Sequence, residues 1–256
     1  MRRGMEPRLF GPVGHGKGGL EWDDNGAVLG KGLDPGAVSP CKLEFWKWSS
    51  VSAVRVYYRG HENSVVAAPR RGGGHSGPPS HVLEMDAQER IVGVIICQRQ
   101  DVVDDPSIDW MAFSVLDQTL NTTRFFLCGD ERELPFNVAK LTTTDAIFRA
   151  AQRTRKYRLH GIVRSIEVVR MTRKRYGIAA FIGRADHRVR AIGFWMHPLV
   201  LNGSAPGDAL PESKGEEKES EDHGPESFTV EKWGSQFFST RGLLSPRTSF
   251  PLRYPR

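Results

Sequence analysis

Residues 176–196 read YGIAAFIGRADHRVRAIGFWM, two apolar runs (176–183 and 189–196) on either side of a short polar loop that a glycine opens. Short runs rich in β-branched and aromatic residues predict β-strands. Similar runs recur along the chain, at 51–60, 81–86, 90–98, 110–117, 122–130 and 162–170. Only DAIFRAAQRTRKYRL (145–159) has an amphipathic helical pattern. We therefore predict an all-β fold over residues 9–199, with ten or more strands and little helix outside 143–158.

A weak internal repeat accompanies these runs. The segments VSAVRVYY (51–58), IVRSIEVVR (162–170) and VRAIGFWM (189–196) share one spacing of apolar residues, and glycine-rich loops recur at 11–19 and 72–77. Repetition of a strand–turn unit favours small sheets stacked with pseudo-symmetry, although the strands of any β-sandwich can look alike.

Composition sets broad limits on the class of protein. The 256 residues carry a formal net charge of +6, which permits an anionic partner without naming one. The three cysteines form no C-x-x-C pair, and the basic start MRRGMEPRLF has no apolar stretch typical of a secretory signal. No apolar run is long enough for a transmembrane segment, so we expect a cytoplasmic protein.

The two ends of the chain differ from the middle. Residues 1–8 are predicted to be an N-terminal tail. Residues 201–232 hold nine acidic residues and few apolar ones, so they cannot bury enough surface to offset the entropy lost on ordering. We predict that 200–256 form a disordered C-terminal tail.

Four segments, in their order along the chain, carry a resemblance to a known family. GPVGHGKGGLEWDDNG (11–26) resembles the glycine-rich opening of jacalin-related lectin domains. HVLEMDAQERIVGVIICQ (81–98) and TTRFFLCGDERELPFN (122–137) are similar to two internal segments of that family, and GRADHRVRAIGFW (183–195) is similar to its closing loop and strand. The resemblance covers about residues 10–197, with an insertion near 138–160.

The resemblance implies a fold and a function. The family fold is a β-prism of three four-stranded Greek-key sheets with pseudo-threefold symmetry, here over residues 9–199. The implied function is a lectin-like, non-catalytic carbohydrate-binding module whose partners are glycans or glycoconjugates, with no cofactor and no metal. The tryptophans are then expected in the core or on sheet surfaces before any role in stacking on a ligand: Trp22, Trp46, Trp48 and Trp110.

The closing loop departs from the family pattern. That pattern ends in G-x-x-x-D, whose aspartate accepts hydrogen bonds from two sugar hydroxyls, whereas here Asp186 replaces the glycine and Arg190 the aspartate. An arginine has only donors, so it cannot replace a carboxylate acceptor. Three alternatives stay open: Asp186 takes over the acceptor role, the loop prefers acidic ligands that suit an arginine, or the site is degenerate.

The resemblance also places the first loop, 11–19, beside 186–190, although more than 165 residues separate them in sequence. The backbone amides of Arg188 and Val189 are expected to be free for a ligand, and Arg190 to enter the cleft or to pair with an acid. Arg190→Asp is predicted to favour neutral sugars. The candidate carbohydrate-binding residues are Gly14, His15, Gly16, Asp186, His187, Arg188, Val189 and Arg190.

A second function class follows from charge. Residues 149–190 contain thirteen Lys and Arg but only Glu167 and Asp186 as acids. Such a run is commonly a solvated face, but a basic face could instead bind anionic partners such as nucleic acid, a phosphoprotein or a membrane. The motifs of common enzyme classes, H-E-x-x-H, G-x-S-x-G and the Walker glycine loop, do not occur. We therefore expect a binding protein and not an enzyme.

Overall fold

The computed structural model describes residues 8–14, 19–24, 38–60, 64–73, 76–100, 107–171 and 176–199. All of them belong to one compact unit, Met1–Ser213. The predicted C-terminal tail and residues 1–7 lie outside the described residues. Within these ranges, no helix is long and apolar enough to cross a membrane.

Fourteen strands and one α-helix make up the described part of the chain. The helix α1 is Thr144–Arg153, and short 3-10 turns occupy Glu131–Glu133 and Val138–Lys140. The strands are β1 Arg8–Gly14, β2 Leu20–Asp23, β3 Ser39–Lys47, β4 Val51–Arg59, β5 Val65–Ala67, β6 Arg71–Gly72, β7 His81–Glu84, β8 Glu89–Arg99, β9 Ile108–Asp117, β10 Thr122–Cys128, β11 Lys156–Leu159, β12 Ile162–Arg170, β13 Tyr176–Ala185 and β14 Val189–Pro198.

Three antiparallel sheets share one connection pattern. The first sheet has the order β1-β14-β13-β2, the second β5-β4-β3-β7 with β6 also on β4, and the third β10-β9-β8-β12-β11. In each sheet a central hairpin is flanked on both sides: β13–β14 by β1 and β2, β3–β4 by β5 and β7, and β8–β9 by β10 and β12, which is Greek-key order. The predicted all-β prism is confirmed, but two of its sheets have five strands where four were predicted, because β6 adds to β4 and β11 adds to β12.

The first sheet is built from both ends of the folded segment. Strand β1 pairs with β14, with Gly14 opposite Ala191, and β2 pairs with β13, with Leu20 opposite Ala185. Closure of this sheet is what brings the first loop of the chain to the last one.

The topology explains the internal repeat for two of its three segments. Strands β4 and β14 occupy the same position, the second strand of the central hairpin of their sheets. Strand β12 does not, because it flanks β8 as β7 flanks β3. The counterpart of β4 and β14 in the third sheet is β9.

One hydrophobic core lies between the three sheets. Phe45, Phe113, Phe181 and Phe194, which come from all three sheets, are fully buried in it. Phe45 and Phe113 approach to 5.6 Å between ring centroids. Sheets this small cannot bury an apolar face alone, so packing around a shared centre supplies the burial.

A second core covers the outer face of the third sheet. Ile147 and Phe148 of α1 pack there against Ile95 and Trp110. The helix begins at its N-cap Thr143, whose hydroxyl accepts from the Ala146 amide at 3.1 Å. The helical prediction for 145–159 holds only as far as residue 153, because 156–159 pair with β12 as the strand β11.

Candidate functional site

Three glycine backbones lie against the β13–β14 hairpin, at or beside its turn, residues 186–188. We call these residues with Arg190, Gly14, Gly19 and Gly73 the loop end. A Cβ atom on Gly14 would lie 2.2 Å from the Arg190 carbonyl oxygen, and one on Gly73 would lie 3.2 Å from the His187 Cα. The loop end thus joins the first sheet to a segment that follows β6 of the second. Gly73 was not predicted as a site residue, although the glycine run at 72–74 is visible in the sequence.

The predicted meeting of the two loops is seen wherever their residues are described. Gly14 is followed by His15 and Gly16, two candidate site residues that lie outside the described residues. The described chain continues at Gly19, where an added Cβ atom would lie only 3.0 Å from the Ala185 carbonyl carbon. The φ angles of +139° at Gly14 and +79° at Gly19 favour glycine.

Arg190 pairs with the acid at the start of the same turn. Its Nε and Nη2 donate to Oδ2 of Asp186 at 3.0 and 2.8 Å. Arg190 is only 8% exposed, and a guanidinium in such a place needs a charged partner. Of the two outcomes expected for Arg190, pairing is the one observed.

The other oxygen of Asp186 is engaged as well. Oδ1 accepts from the Arg188 amide at 3.0 Å and lies 3.1 Å from Nδ1 of His187. The prediction of a free Arg188 amide is therefore wrong, because the three-residue turn 186–188 brings the Asp186 carboxylate back onto that amide. Val189, also a candidate site residue, has its side chain fully buried in the main core.

Electrostatics keep this carboxylate ionised. Burial raises the pKa of Asp186, but the hydrogen bonds from Arg190 and the Arg188 amide, with the Arg190 charge, outweigh it and hold the pKa below its usual value. A carboxylate offers about four acceptor positions. Two N–H groups of the Arg190 guanidinium, one backbone amide and one imidazole nitrogen already face them, so residues 186–190 satisfy this carboxylate themselves.

The basic residues that the structure describes within 149–190, which leave out 172–175, do not form one continuous face. Four of them hold acids: Arg164 with Asp109, Arg170 with Asp145, Arg184 with Glu21, and Arg190 with Asp186. These pairs belong to strands of two different sheets. Among the described residues of this range, the exposed cations other than Arg170 lie on α1, on β11 and between them, at Arg149, Arg153, Arg155, Lys156 and Arg158.

Comparison with known proteins gives structural neighbours only. No protein-family model matches the chain, and no curated protein matches it in sequence. A mannose-binding jacalin-related lectin from Ananas comosus is similar at 16% identity, over 75% of this chain and 99% of that one, with a TM-score of 0.48. Malaysian banana lectin is similar at 17% identity, over 76% and 100% of the two chains, with a TM-score of 0.48.

A mannose-specific jacalin-related lectin from Morus nigra, in complex with mannose, is similar at 15% identity, over 78% of this chain and 99% of that one, with a TM-score of 0.48. The prediction of a jacalin-related lectin fold is confirmed, and the three Greek-key sheets of this chain carry that conclusion.

Proposed function

We propose that this protein is a non-catalytic carbohydrate-binding module in which the 186–190 turn has become self-paired. The observation that supports this is the two-point contact of Arg190 with Asp186 at a loop end where three glycine backbones meet. Glycine at such places lets a ligand approach the backbone closely. The ligand class is neutral sugar, bound weakly at the loop end.

The pairing supports one of the alternatives that the sequence leaves open, in which Asp186 takes the acceptor role. A sugar hydroxyl needs an acceptor, and Asp186 is the acceptor of the turn, but Arg190 covers Oδ2. An acidic ligand would need the guanidinium of Arg190, which is buried against Asp186. Arg190 is therefore a positioning residue that limits the affinity for neutral sugars, and it does not create a preference for acidic ones.

The substitution Arg190→Met tests the proposed function, because it should strengthen the binding of neutral sugars. The substitution removes both donors from Oδ2 and keeps an apolar stem, so the carboxylate can accept from a sugar hydroxyl. One charged hydrogen bond contributes about 1–3 kcal/mol, so we expect roughly tenfold tighter binding of methyl α-mannoside. Titration is followed by NMR at the amide signals of residues 186–188, which report on this turn alone.

Arg184→Met is the matched control. Arg184 lies in the same hairpin, and its ion pair is with Glu21 instead of Asp186. It should leave the affinity unchanged. If neither the parent nor Arg190→Met shifts these signals with neutral sugars, the proposed function is wrong. Retention on a heparin column that Arg190→Met abolishes would instead establish the acidic-ligand alternative.

A further inference from the structure

Strand β11 is the last strand of the third sheet, and it is paired on one side only. On that side it forms a hairpin with β12, in which Lys156 lies opposite Ser165 and Arg158 lies opposite Val163. Among the residues that the structure describes, no strand pairs with the other side of β11. That side is therefore an open sheet edge, which a further strand can join.

The hydrogen bonds of this hairpin show which backbone groups face the open edge. The Val163 carbonyl accepts from the Gln100 amide at 2.9 Å, on the side of β12 that faces away from β11. Its opposite residue, Arg158, is therefore at a position where the two strands of the hairpin do not bond. Because bonded and non-bonded positions alternate along antiparallel strands, the N–H and C=O groups of Lys156 and Arg158 point to the open edge, and those of Tyr157 bond β12.

The position of β11 is fixed by its turn and by Tyr157. The φ angles of +51° at His160 and +80° at Gly161 are those of a tight two-residue hairpin turn. The Tyr157 hydroxyl donates to the Glu133 carbonyl at 2.8 Å and accepts from the Trp110 indole nitrogen at 3.0 Å. A strand that is already ordered loses little further entropy when a partner pairs with it.

Charged and apolar side chains alternate along β11. Tyr157 packs against the second core, and Leu159 follows it on the same face of the sheet. Both are only partly buried, whereas Lys156 and Arg158, on the opposite face, are exposed. A strand that pairs with this edge places its own side chains on the same two faces, so its charged and apolar residues have to alternate in the same way.

The surroundings of the edge are positively charged. The exposed cations within 149–158 are Arg149, Arg153, Arg155, Lys156 and Arg158. Among the described residues, none of these five forms an ion pair with a carboxylate, and Asp145 of α1 is paired with Arg170 instead. Burial raises the pKa of Glu167 on β12, and the nearby Arg155 charge opposes this. One carboxylate leaves most of this positive charge uncompensated, so the edge attracts an anionic partner.

We propose that the open edge of β11 binds an extended segment of a partner protein in which acidic and apolar residues alternate. The segment adds an antiparallel strand to the third sheet and exchanges backbone hydrogen bonds with Lys156 and Arg158. Its carboxylates lie beside the side chains of these two residues, and its apolar residues lie beside Tyr157 and Leu159.

Two other occupants fit this edge less well. The same edge of a second copy of this chain brings like charges opposite each other, which destabilises the pairing of two strands. A nucleic acid supplies negative charge but has no peptide backbone to pair with the strand. The proposal is independent of sugar binding at the loop end.

The probe is a short acetylated and amidated peptide of alternating glutamate and valine, titrated into the full chain. NMR at the amide signals of residues 156–159 follows its binding. In antiparallel pairing, the peptide residues opposite Lys156 and Arg158 are glutamates, and their amides face β11. We expect N-methylation of the glutamates to weaken binding about tenfold, because it removes these donors at unchanged charge. N-methylation of the valines, whose amides face away, should leave the affinity unchanged.

Arg158→Pro makes the same test from the side of the protein. Proline removes an N–H that faces the open edge, a position at which an edge strand tolerates it. We expect this variant to bind the peptide about tenfold more weakly. The matched variant Arg158→Met removes only the charge and should weaken binding about threefold.

Three results would overturn the proposal. The first is equal affinity of the parent chain for all three peptides, which shows attraction by charge alone and needs no substitution in the protein. The second is an equal loss of binding in Arg158→Pro and Arg158→Met, with the indole signal of Trp110 unchanged as evidence that both are folded. The third is an oligothymidylate that shifts the signals of 156–159 at least as tightly as the peptide does.

Discussion

Asp24 should make the stability of this protein fall as pH rises from about 4 to about 6. The residue follows β2 and is fully buried. Its Oδ2 accepts from the Tyr58 hydroxyl at 3.0 Å, and its Oδ1 lies 3.1 Å from Nη2 of Arg71. Burial raises the pKa of Asp24 to about 6 from 3.8, although Tyr58 and Arg71 both act to lower it.

The size of this stability change follows from the difference between the pKa of Asp24 in the folded state and in the unfolded state. A difference of about two pKa units corresponds to about 3 kcal/mol. The folded state binds this proton more tightly than the unfolded state, so protonation stabilises the fold. The contribution is complete below the unfolded pKa of 3.8 and is lost as pH rises through about 6.

Asp24→Asn removes this titration and keeps an acceptor for the Tyr58 hydroxyl. Urea unfolding of both proteins between pH 4 and pH 7 gives the difference in free energy of unfolding, in which the other titrating groups cancel. We expect that difference, parent minus variant, to fall by about 2–3 kcal/mol over this range. Tyr58→Phe, which removes a donor to Asp24, should move the fall to higher pH. A constant difference, or one that rises with pH, would refute this account of Asp24.

Two further predictions concern buried contacts. Arg164→Met should lower the free energy of unfolding by about 3–5 kcal/mol, because it leaves the fully buried Asp109 with Arg99 alone. Its control in the same urea titration is Arg158→Met, at an exposed position of β11. Equal losses of stability in the two variants would contradict the argument. Gly14→Ala should cost about 1–3 kcal/mol and abolish sugar-dependent shifts at 186–188, because its Cβ would meet the Arg190 carbonyl. Gly11→Ala, whose Cβ would meet nothing within 4 Å, should be silent in both measurements.

Most of the inner strands were predictable from the sequence. The apolar runs at 90–98 and 162–170 correspond to β8 at Glu89–Arg99 and β12 at Ile162–Arg170. These strands are buried on one or both faces, so their residues carry the apolar pattern of a strand. The edge strands β1 and β11 carried no such signal, because half-exposed edges tolerate glycine, proline and charge, and β5 is only three residues long.

The candidate site was predictable in place but not in chemistry. Order along the chain and the resemblance placed the first and last loops together, and closure of the first sheet does bring Gly14 to Ala191. The sequence also showed that Arg190 cannot accept a hydrogen bond. It did not show that Arg190 covers Asp186, that the Arg188 amide is engaged, or that Trp48 differs from the other tryptophans in exposure.

The sequence by itself determined most of the inner strands, the all-β class and the missing acceptor at Arg190, because apolar periodicity and donor chemistry are properties of single residues and their near neighbours. Only the tertiary structure decided which groups are already satisfied. Hydrogen bonding depends on angles and on distances near 3 Å, and the hairpin around 186–190 is held against Gly14 and Gly73, which are distant in sequence. A side chain's availability for a ligand is therefore a property of the fold.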